Sequence, residues 1–307
     1  MAKNTSNPFQ APNQITNQTN ETNEMRVSYY PGCSLEATAR DYRESLEYVC
    51  RRLGIELAEI NDWSCCGATA AHSTDEFLSL ALPARNLALA EQAGLDVVVP
   101  CPMCFNRLKT TEQALKTESP KDFPYAFEGR IKVWDLLDFL SQPDWLAQIQ
   151  AQVKQPLQGL SLVSYYGCMA NRPPKITGAG QHENPQNMDT LLKALGATVS
   201  DWSYKTDCCG ASHTISRPDI VHTLVQRLYE RALEAGAEAI VVSCQMCQAN
   251  LDMPQAKIAA LFQKKYDLPI YYFTELIGVA WNSPEAKTWL SRHLVNPLPL
   301  LKRKGLM

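Results

Sequence analysis

The chain has 307 residues, 45% of them hydrophobic and 20% charged, which is enough apolar material for one large domain or two of ordinary size and excludes disorder of the bulk. Lys and Arg total 29 against 32 Asp and Glu, and a net charge of -3 leaves no electrostatic footprint for nucleic acid. The longest apolar candidate, residues 271–281, is interrupted by Thr274 and Glu275 and falls short of the ~18 residues that a membrane span needs.

Residues 1–25 are rich in Asn, Thr and Gln, with no apolar run behind Lys3 and no small-residue cleavage site. They read as a disordered tail rather than an export signal. The expected compartment is therefore a reducing cytosol, where clustered cysteines bind metals or catalyse more often than they form disulfides. Over residues 26–155, β-branched runs at 26–30, 56–60, 96–100 and 131–134 predict strands, and amphipathic runs at 37–53 and 74–92 predict helices. A helical run at 143–153 ends at Pro156 and Gly159, which mark a joint. Residues 156–285 repeat the scheme, with strands expected at 161–166, 198–202, 239–243 and 270–273 and a helix at 218–234. The alternation predicts an α/β fold of two pseudo-symmetric duplicated domains, each a small parallel sheet flanked by helices. Residues 286–307 mix Trp289, Leu290, Leu294, Val295, Leu298, Leu300 and Leu301 with Arg292, Lys302, Arg303 and Lys304. Such a tail suits a short helix docking on a partner or an anionic membrane surface, its length limited by Pro297 and Pro299, with a loosely ordered terminus as the alternative.

The two halves are related by a repeat. Asp62-Trp63-Ser64 recurs as Asp201-Trp202-Ser203, Cys65-Cys66-Gly67-Ala68 as Cys208-Cys209-Gly210-Ala211, and the pair Cys101 and Cys104 as Cys244 and Cys247. Ser28-Tyr29-Tyr30-Pro31-Gly32-Cys33 recurs, one residue shorter, as Ser164-Tyr165-Tyr166-Gly167-Cys168. The separation grows from 135 residues at Cys33 and Cys168 to 143 at the paired cysteines through short insertions, one of them residues 204–207. A period this long means duplicated domains rather than a solenoid.

Ten of the eleven cysteines thus form two sets of five: Cys33, Cys65, Cys66, Cys101 and Cys104, then Cys168, Cys208, Cys209, Cys244 and Cys247. All fall just beyond the expected carboxyl ends of strands, where open α/β sheets bind ligands. The helices that start there favour thiolates, the form that binds a metal. Five thiolates exceed the four of a tetrahedral zinc site or an ordinary four-iron cluster, so a larger centre or a spare ligand is implied. Zinc at one or both sites is the alternative, and it would make the chain a structural scaffold for other subunits. The eleventh cysteine, Cys50, shares a helix face with Tyr42, Leu46, Val49 and Leu53 and reads as core packing. His72 and His213 follow the Cys-Cys pairs closely enough to bond a cluster sulfur or deliver a proton, with capping or surface roles as the alternative. His213, nearer its cysteines, is the stronger catalytic candidate. Trp63, Trp202, Tyr30 and Tyr166 read as packing that shields the sites from water or as walls of a substrate cleft.

At these cysteines the sequence resembles the cysteine-rich CCG-domain proteins, and specifically the family of the CCG-domain subunit of CoB-CoM heterodisulfide reductase, over residues 26 to 281. The resemblance implies an iron-sulfur subunit in which each set of five cysteines holds a noncubane four-iron cluster of fused smaller units. It further implies a disulfide held and reduced between the two clusters, at the interface of the halves. Related subunits replace the membrane anchor of unusual succinate dehydrogenase or fumarate reductase complexes and reach quinone, which is the second reading the resemblance allows. The chain has no C-x2-C-x2-C-x3-C-P run and no dinucleotide fingerprint, since Gly178-Ala179-Gly180 lacks the third glycine. Electrons are therefore expected to come from or go to other oxidoreductase subunits carrying ferredoxin-type clusters or flavin. The expected location is cytoplasmic, with a peripheral contact on the inner membrane face if the tail docks there.

Overall fold

The computed structural model describes residues 25–69, 71–117 and 123–307, together with the backbone of Gln18–Thr19. In the first half β1 (Gln18–Thr19), β2 (Met25–Tyr29), α1 (Cys33–Glu36), α2 (Arg40–Arg52) and β3 (Ile55–Glu59) come first. They are followed by α3 (Ala71–Thr74), α4 (Glu76–Ala93), β4 (Val97–Val99), α5 (Pro102–Thr117), β5 (Val133–Asp135), α6 (Leu136–Leu140) and α7 (Pro143–Ala151). The second half runs β6 (Ser161–Tyr165), α8 (Pro174–Thr177), α9 (Asn187–Ala194), β7 (Thr198–Val199), a 3-10 turn at Ala211–His213, α10 (Pro218–Glu234) and β8 (Ala239–Val242). It closes with α11 (Gln245–Asp252), α12 (Gln255–Phe262), β9 (Ile270–Tyr272), α13 (Phe273–Ala280), α14 (Ala286–Leu290) and α15 (Leu298–Arg303).

Both sheets wind alike. Parallel pairing gives the order β3-β2-β4-β5 in the first and β7-β6-β8-β9 in the second. The fold class is the one expected: two duplicated α/β units with parallel four-stranded sheets. The strands β4 and β8 are buried throughout, as parallel strands covered on both faces must be. The order also reverses direction beside β2 and β6, creating a switch point at the carboxyl ends where a ligand site can form.

Several boundaries differ from expectation for local reasons. The helix expected over 74–92 is broken at Asp75, whose side chain accepts from Leu78 N at 2.7 Å and caps α4. Residues 131, 132 and 200–202 lie outside strands, because β5 pairs only from Val133 and β7 only at Thr198 and Val199. Within the expected tail, Gln18–Thr19 pairs antiparallel with Met25 and Arg26, so these residues and Met25 belong to the first sheet. The rest of that tail lies outside the described residues.

The two halves share one continuous hydrophobic core, and a smaller one lies around Leu87, Val97, Phe105 and Leu108. α2 of the first half packs on α13 and α14 of the second, while α6 packs on α9 in the mirrored relation. Along α2, the Tyr42 ring stacks on Tyr272 at 4.2 Å and 3°, and Ser45 Oγ lies 2.7 Å from Thr274 Oγ1. The C-terminal segment closes this joint. Trp289, Leu290, Leu300 and Leu301 are buried in the shared core, and of the apolar residues singled out there Leu294 stays largely exposed.

That segment also brings His293 between two carboxylates that meet across the joint. His293 Nε2 lies 2.9 Å from Glu275 Oε1 of α13 and 3.5 Å from Asp41 Oδ2 of α2, with all three side chains buried. In the mirrored contact Asp138 of α6 simply accepts from Asn187 Nδ2 of α9 at 2.6 Å. Where the first half has Asp41 in place of an amide donor, an imidazole keeps two acids from facing each other bare. Burial alone pulls the His293 imidazole down, but the carboxylates of Glu275, Asp41 and Asp252 outweigh it and raise it to about 9 from an ordinary 6.5. A raised folded-state value stabilises the fold fully below pH 6.5 and is lost as pH climbs toward 9. Burial, with Glu275 adding, lifts Asp41 to about 6, so its contribution is lost earlier on the same rise. Denaturant unfolding from pH 6 to pH 9.5 should therefore show stability falling over this window. His293→Gln should be less stable by about 3 kcal/mol at neutral pH and lose most of that slope; an unchanged slope would contradict the role of His293.

Candidate metal centres

Each set of five cysteines is gathered at the carboxyl end of its sheet by the same local devices. After β2 and β6 the chain turns through Gly32 (φ 72) and Gly167 (φ 65) into the first cysteine of the set, Cys33 or Cys168. A Cβ on Gly32 would stand 2.9 Å from Cys104 Sγ, and one on Gly167 would stand 2.9 Å from Cys247 Sγ. Backbone thus presses directly on sulfur in both halves, and only glycine combines that contact with a positive φ at low cost.

The Cys-Cys-Gly turn is held from both sides. Gly67 N donates to Cys65 Sγ at 3.4 Å and Gly210 N to Cys208 Sγ at 3.3 Å. The carbonyl just before each turn accepts a tyrosine hydroxyl: Tyr30 donates to Ser64 O at 2.7 Å, and Tyr165 donates to Asp207 O at 2.6 Å. The structural counterpart of Tyr30 is therefore Tyr165, which corrects its pairing with Tyr166. Counted back from the cysteine, Tyr30-Pro31-Gly32 matches Tyr165-Tyr166-Gly167, and the apparent missing residue disappears. Tyr166 instead donates to Asp189 Oδ2 at 2.6 Å and accepts from Met188 N, anchoring α9. Trp63 and Trp202 stand edge-on to Tyr30 and Tyr165 at 5.4 and 6.2 Å, so each pair walls the inner side of its turn.

Within the sets, Cys66 Sγ lies 3.4 Å from Cys104 Sγ, and Cys209 Sγ lies 3.9 Å from Cys247 Sγ. The thiols of Cys65 and Cys66, Cys101 and Cys104, Cys168 and Cys208, and Cys244 and Cys247 lie close enough to shift one another's proton affinity. Cys33 is within electrostatic reach of Cys65. The structure therefore brings each set together. Cys66, Cys101, Cys104, Cys209, Cys244 and Cys247 form buried floors, whereas Cys33, Cys65 and Cys208 are exposed at the rims. Contact with the Cys104 and Cys65 thiols holds the Cys66 sulfur well below its ordinary range. Cys208 is likewise lowered by the Cys168 thiol, and Cys209 by the Cys247 thiol. Cys65, Cys104, Cys168 and Cys247 are pushed up by the same thiol contacts and by burial, so protons are shared unevenly among the sulfurs of each site. The donor set and the glycine cradles fit a sulfur-bound metal group.

The other singled-out residues divide. Cys50 lies in the core and burial pushes its thiol up to about 12, so it stays a protonated packing group. His213 is exposed on the 3-10 turn, 3.4 Å from Ser216 Oγ, and its charge acts on Cys208. His72 is exposed on α3. Several supporting side chains carried no motif. Asn86 bonds both Ser64 N and Ser64 O, and Asn250 Nδ2 donates to Cys209 O at 2.7 Å. Asn106 Nδ2, on the helix after Cys104, donates to Met169 O and Arg172 O in the loop after Cys168, tying one site to the other. The 204–207 insertion carries Lys205, which is buried against Asp189 Oδ1 at 2.9 Å.

Two cysteine-rich α/β units, each with five sulfurs at one sheet end, define a duplicated cysteine-rich domain protein. The chain belongs to the family of the CCG cysteine-rich domain, which matches residues 27–109 and again 162–252. It is 31% identical over 285 residues to the 8-methylmenaquinol:fumarate reductase membrane anchor subunit of Wolinella succinogenes, covering 90% of this chain and 99% of that one. It is 25% identical over 267 residues to a subunit of the ferredoxin/F420H2-dependent CoB-CoM heterodisulfide reductase of Methanosarcina acetivorans, covering 83% and 89%. Among solved structures, a hypothetical protein from Helicobacter pylori shares the fold with a TM-score of 0.70 and 11% identity, over 94% of this chain and 55% of that one. The relatives named for a reaction are subunits of oxidoreductase complexes. Among the described residues no helix is long and apolar enough to cross a membrane.

If the glycine cradles are required, Gly32→Ala should lose about half the bound metal by emptying the first site, and Gly167→Ala should do the same at the second. Metal analysis of each variant against the parent reads this directly; full loading of both variants would contradict it.

Proposed function

We propose that the chain is the electron-transferring iron-sulfur subunit of an oxidoreductase complex, exchanging electrons between a quinone and partner subunits that carry flavin or ferredoxin-type clusters. The observation that carries this reading is the pair of five-sulfur sites built alike at the ends of two sheets. Cys33, Cys65, Cys66, Cys101 and Cys104 would hold one noncubane four-iron cluster, and Cys168, Cys208, Cys209, Cys244 and Cys247 the other. Bound there, the clusters would supply single-electron storage and transfer. The number of sulfurs supports this over zinc, because each set offers five cysteines and a tetrahedral zinc takes four ligands.

The protein's own residues would do three things. The buried floors keep water from the inner sulfurs, while the rims at Cys33, Cys65 and Cys208 leave a side open to a reactant. Tyr30 and Tyr165 fix the Cys-Cys turns, so the sites change little in shape as charge moves. His213, exposed beside Cys208, would deliver a proton to the reduced acceptor. The segments that follow the two Cys-Cys-Gly turns expose Phe77, Leu78 and Ile215, apolar contacts that suit a quinone at a membrane surface. Quinone as the partner is supported by the likeness to a quinol:fumarate reductase anchor over nearly its full length. The second reading, reduction of a disulfide, is favoured by the likeness to a heterodisulfide reductase subunit and by the same open rims.

Reoxidation separates the two. Protein reduced by dithionite without oxygen should be reoxidised faster by a short-chain naphthoquinone than by a low-molecular-weight disulfide. His213→Ala should slow the quinone reaction several-fold with iron content unchanged. Faster reoxidation by the disulfide would move the assignment to the second reading.

A further inference from the structure

The joint between the halves contains one side chain that touches the backbone of both cysteine pairs. Tyr42 of α2 is fully buried, and its hydroxyl lies 3.1 Å from Ser243 O and 3.4 Å from Pro100 O. Pro100 is the residue before Cys101, and Ser243 is the residue before Cys244. Both neighbours are carbonyls, so the hydroxyl can only donate, sharing its hydrogen in a three-centre bond. The first cysteine of each pair is thus joined to the other by two peptide groups and one phenol hydroxyl. Stacking on Tyr272 fixes the ring that carries this hydroxyl. A buried bridge of this kind is a short hydrogen-bonded network through which two sites can be coupled.

We propose that Tyr42 is a positioning residue that couples the two cysteine sites, holding the Cys101 and Cys244 loops at fixed separation and providing the bridge across which they exchange an electron. This rests on the iron-sulfur reading of the sites. The exchange balances simply: one electron leaves one site and enters the other, and the phenol keeps its proton and is neither oxidised nor reduced. The mirrored helix α9 begins Asn187-Met188-Asp189 and carries no phenol hydroxyl in its first turn, so it offers no matching bridge.

Tyr42→Phe keeps the stacked ring and removes only the hydroxyl. Thr274→Val is the control, because it removes the Ser45 to Thr274 contact one turn along the same joint and leaves Tyr42 untouched. Both variants and the parent are purified without oxygen and analysed for iron and sulfide. A substoichiometric pulse of reductant then places about one electron on each molecule, and its redistribution between the sites is followed by freeze-quench electron paramagnetic resonance. The expected result is full loading of all three proteins, several-fold slower redistribution in Tyr42→Phe, and parent-like behaviour in Thr274→Val. Parent-like redistribution in Tyr42→Phe overturns the proposal and leaves the iron-sulfur reading standing. Equal slowing in both variants overturns it too, because the joint as a whole would then be responsible. Loss of iron from Tyr42→Phe overturns it by making Tyr42 a builder of a site rather than a link between sites. A parent that holds no iron and no sulfide overturns the proposal together with the reading beneath it.

Discussion

The close approach of backbone to sulfur at Gly32 and Gly167 is the contact around which the rest is arranged. With only 2.9 Å between a hypothetical Cβ and the sulfur of Cys104 or Cys247, the chain leaving β2 or β6 lies against the first turn of the helix that follows β4 or β8. That contact fixes where the first cysteine of each set emerges and how far the paired cysteines reach into the site. The Cys-Cys-Gly turn then has one position left, and a tyrosine hydroxyl three residues before that first cysteine pins it there in both halves. Five sulfurs converge because three strand ends at a switch point are locked by short-range bonds, with no disulfide or charge cluster needed.

Duplication did not leave the halves identical, and the differences fall where they meet. The first half contributes Asp41, Tyr42 and Ser45 along one helix, and the second contributes Tyr272, Thr274 and Glu275 opposite them. The mirrored joint is simpler, a carboxylate with an amide. The extra acid on one side brings in the C-terminal segment, whose His293 completes a buried polar group while Trp289 and Leu301 fill the apolar space around it. The insertion before the second Cys-Cys pair behaves similarly, because it places Lys205 against Asp189 under the second site.

Much of this is legible in the residues. The alternation of strands and helices, the duplication and the convergence of ten cysteines follow from β-branched and amphipathic runs and from repeated motifs, which are local signals. Residues whose roles depend on distant partners are not legible in the same way. Tyr166 resembles a counterpart of Tyr30 because the motif repeats letter for letter, and only the bonds from Tyr30 and Tyr165 to matching carbonyls show the true pairing. Tyr42 reads as one apolar position on a helix face, since nothing nearby announces that Pro100 and Ser243 will meet at its hydroxyl. Trp289 and Leu290 read as part of a docking tail because the helix they sit on packs against α2, some 240 residues earlier in the chain.

What the two sets of sulfurs hold decides the function. Iron, zinc and acid-labile sulfide should be measured on protein purified without oxygen, with absorption and electron paramagnetic resonance spectra of its oxidised and reduced forms. About eight irons with matching sulfide, in two centres of about four each, is the predicted result. About one or two zincs and no sulfide would contradict it and leave the chain a structural partner that carries no electrons.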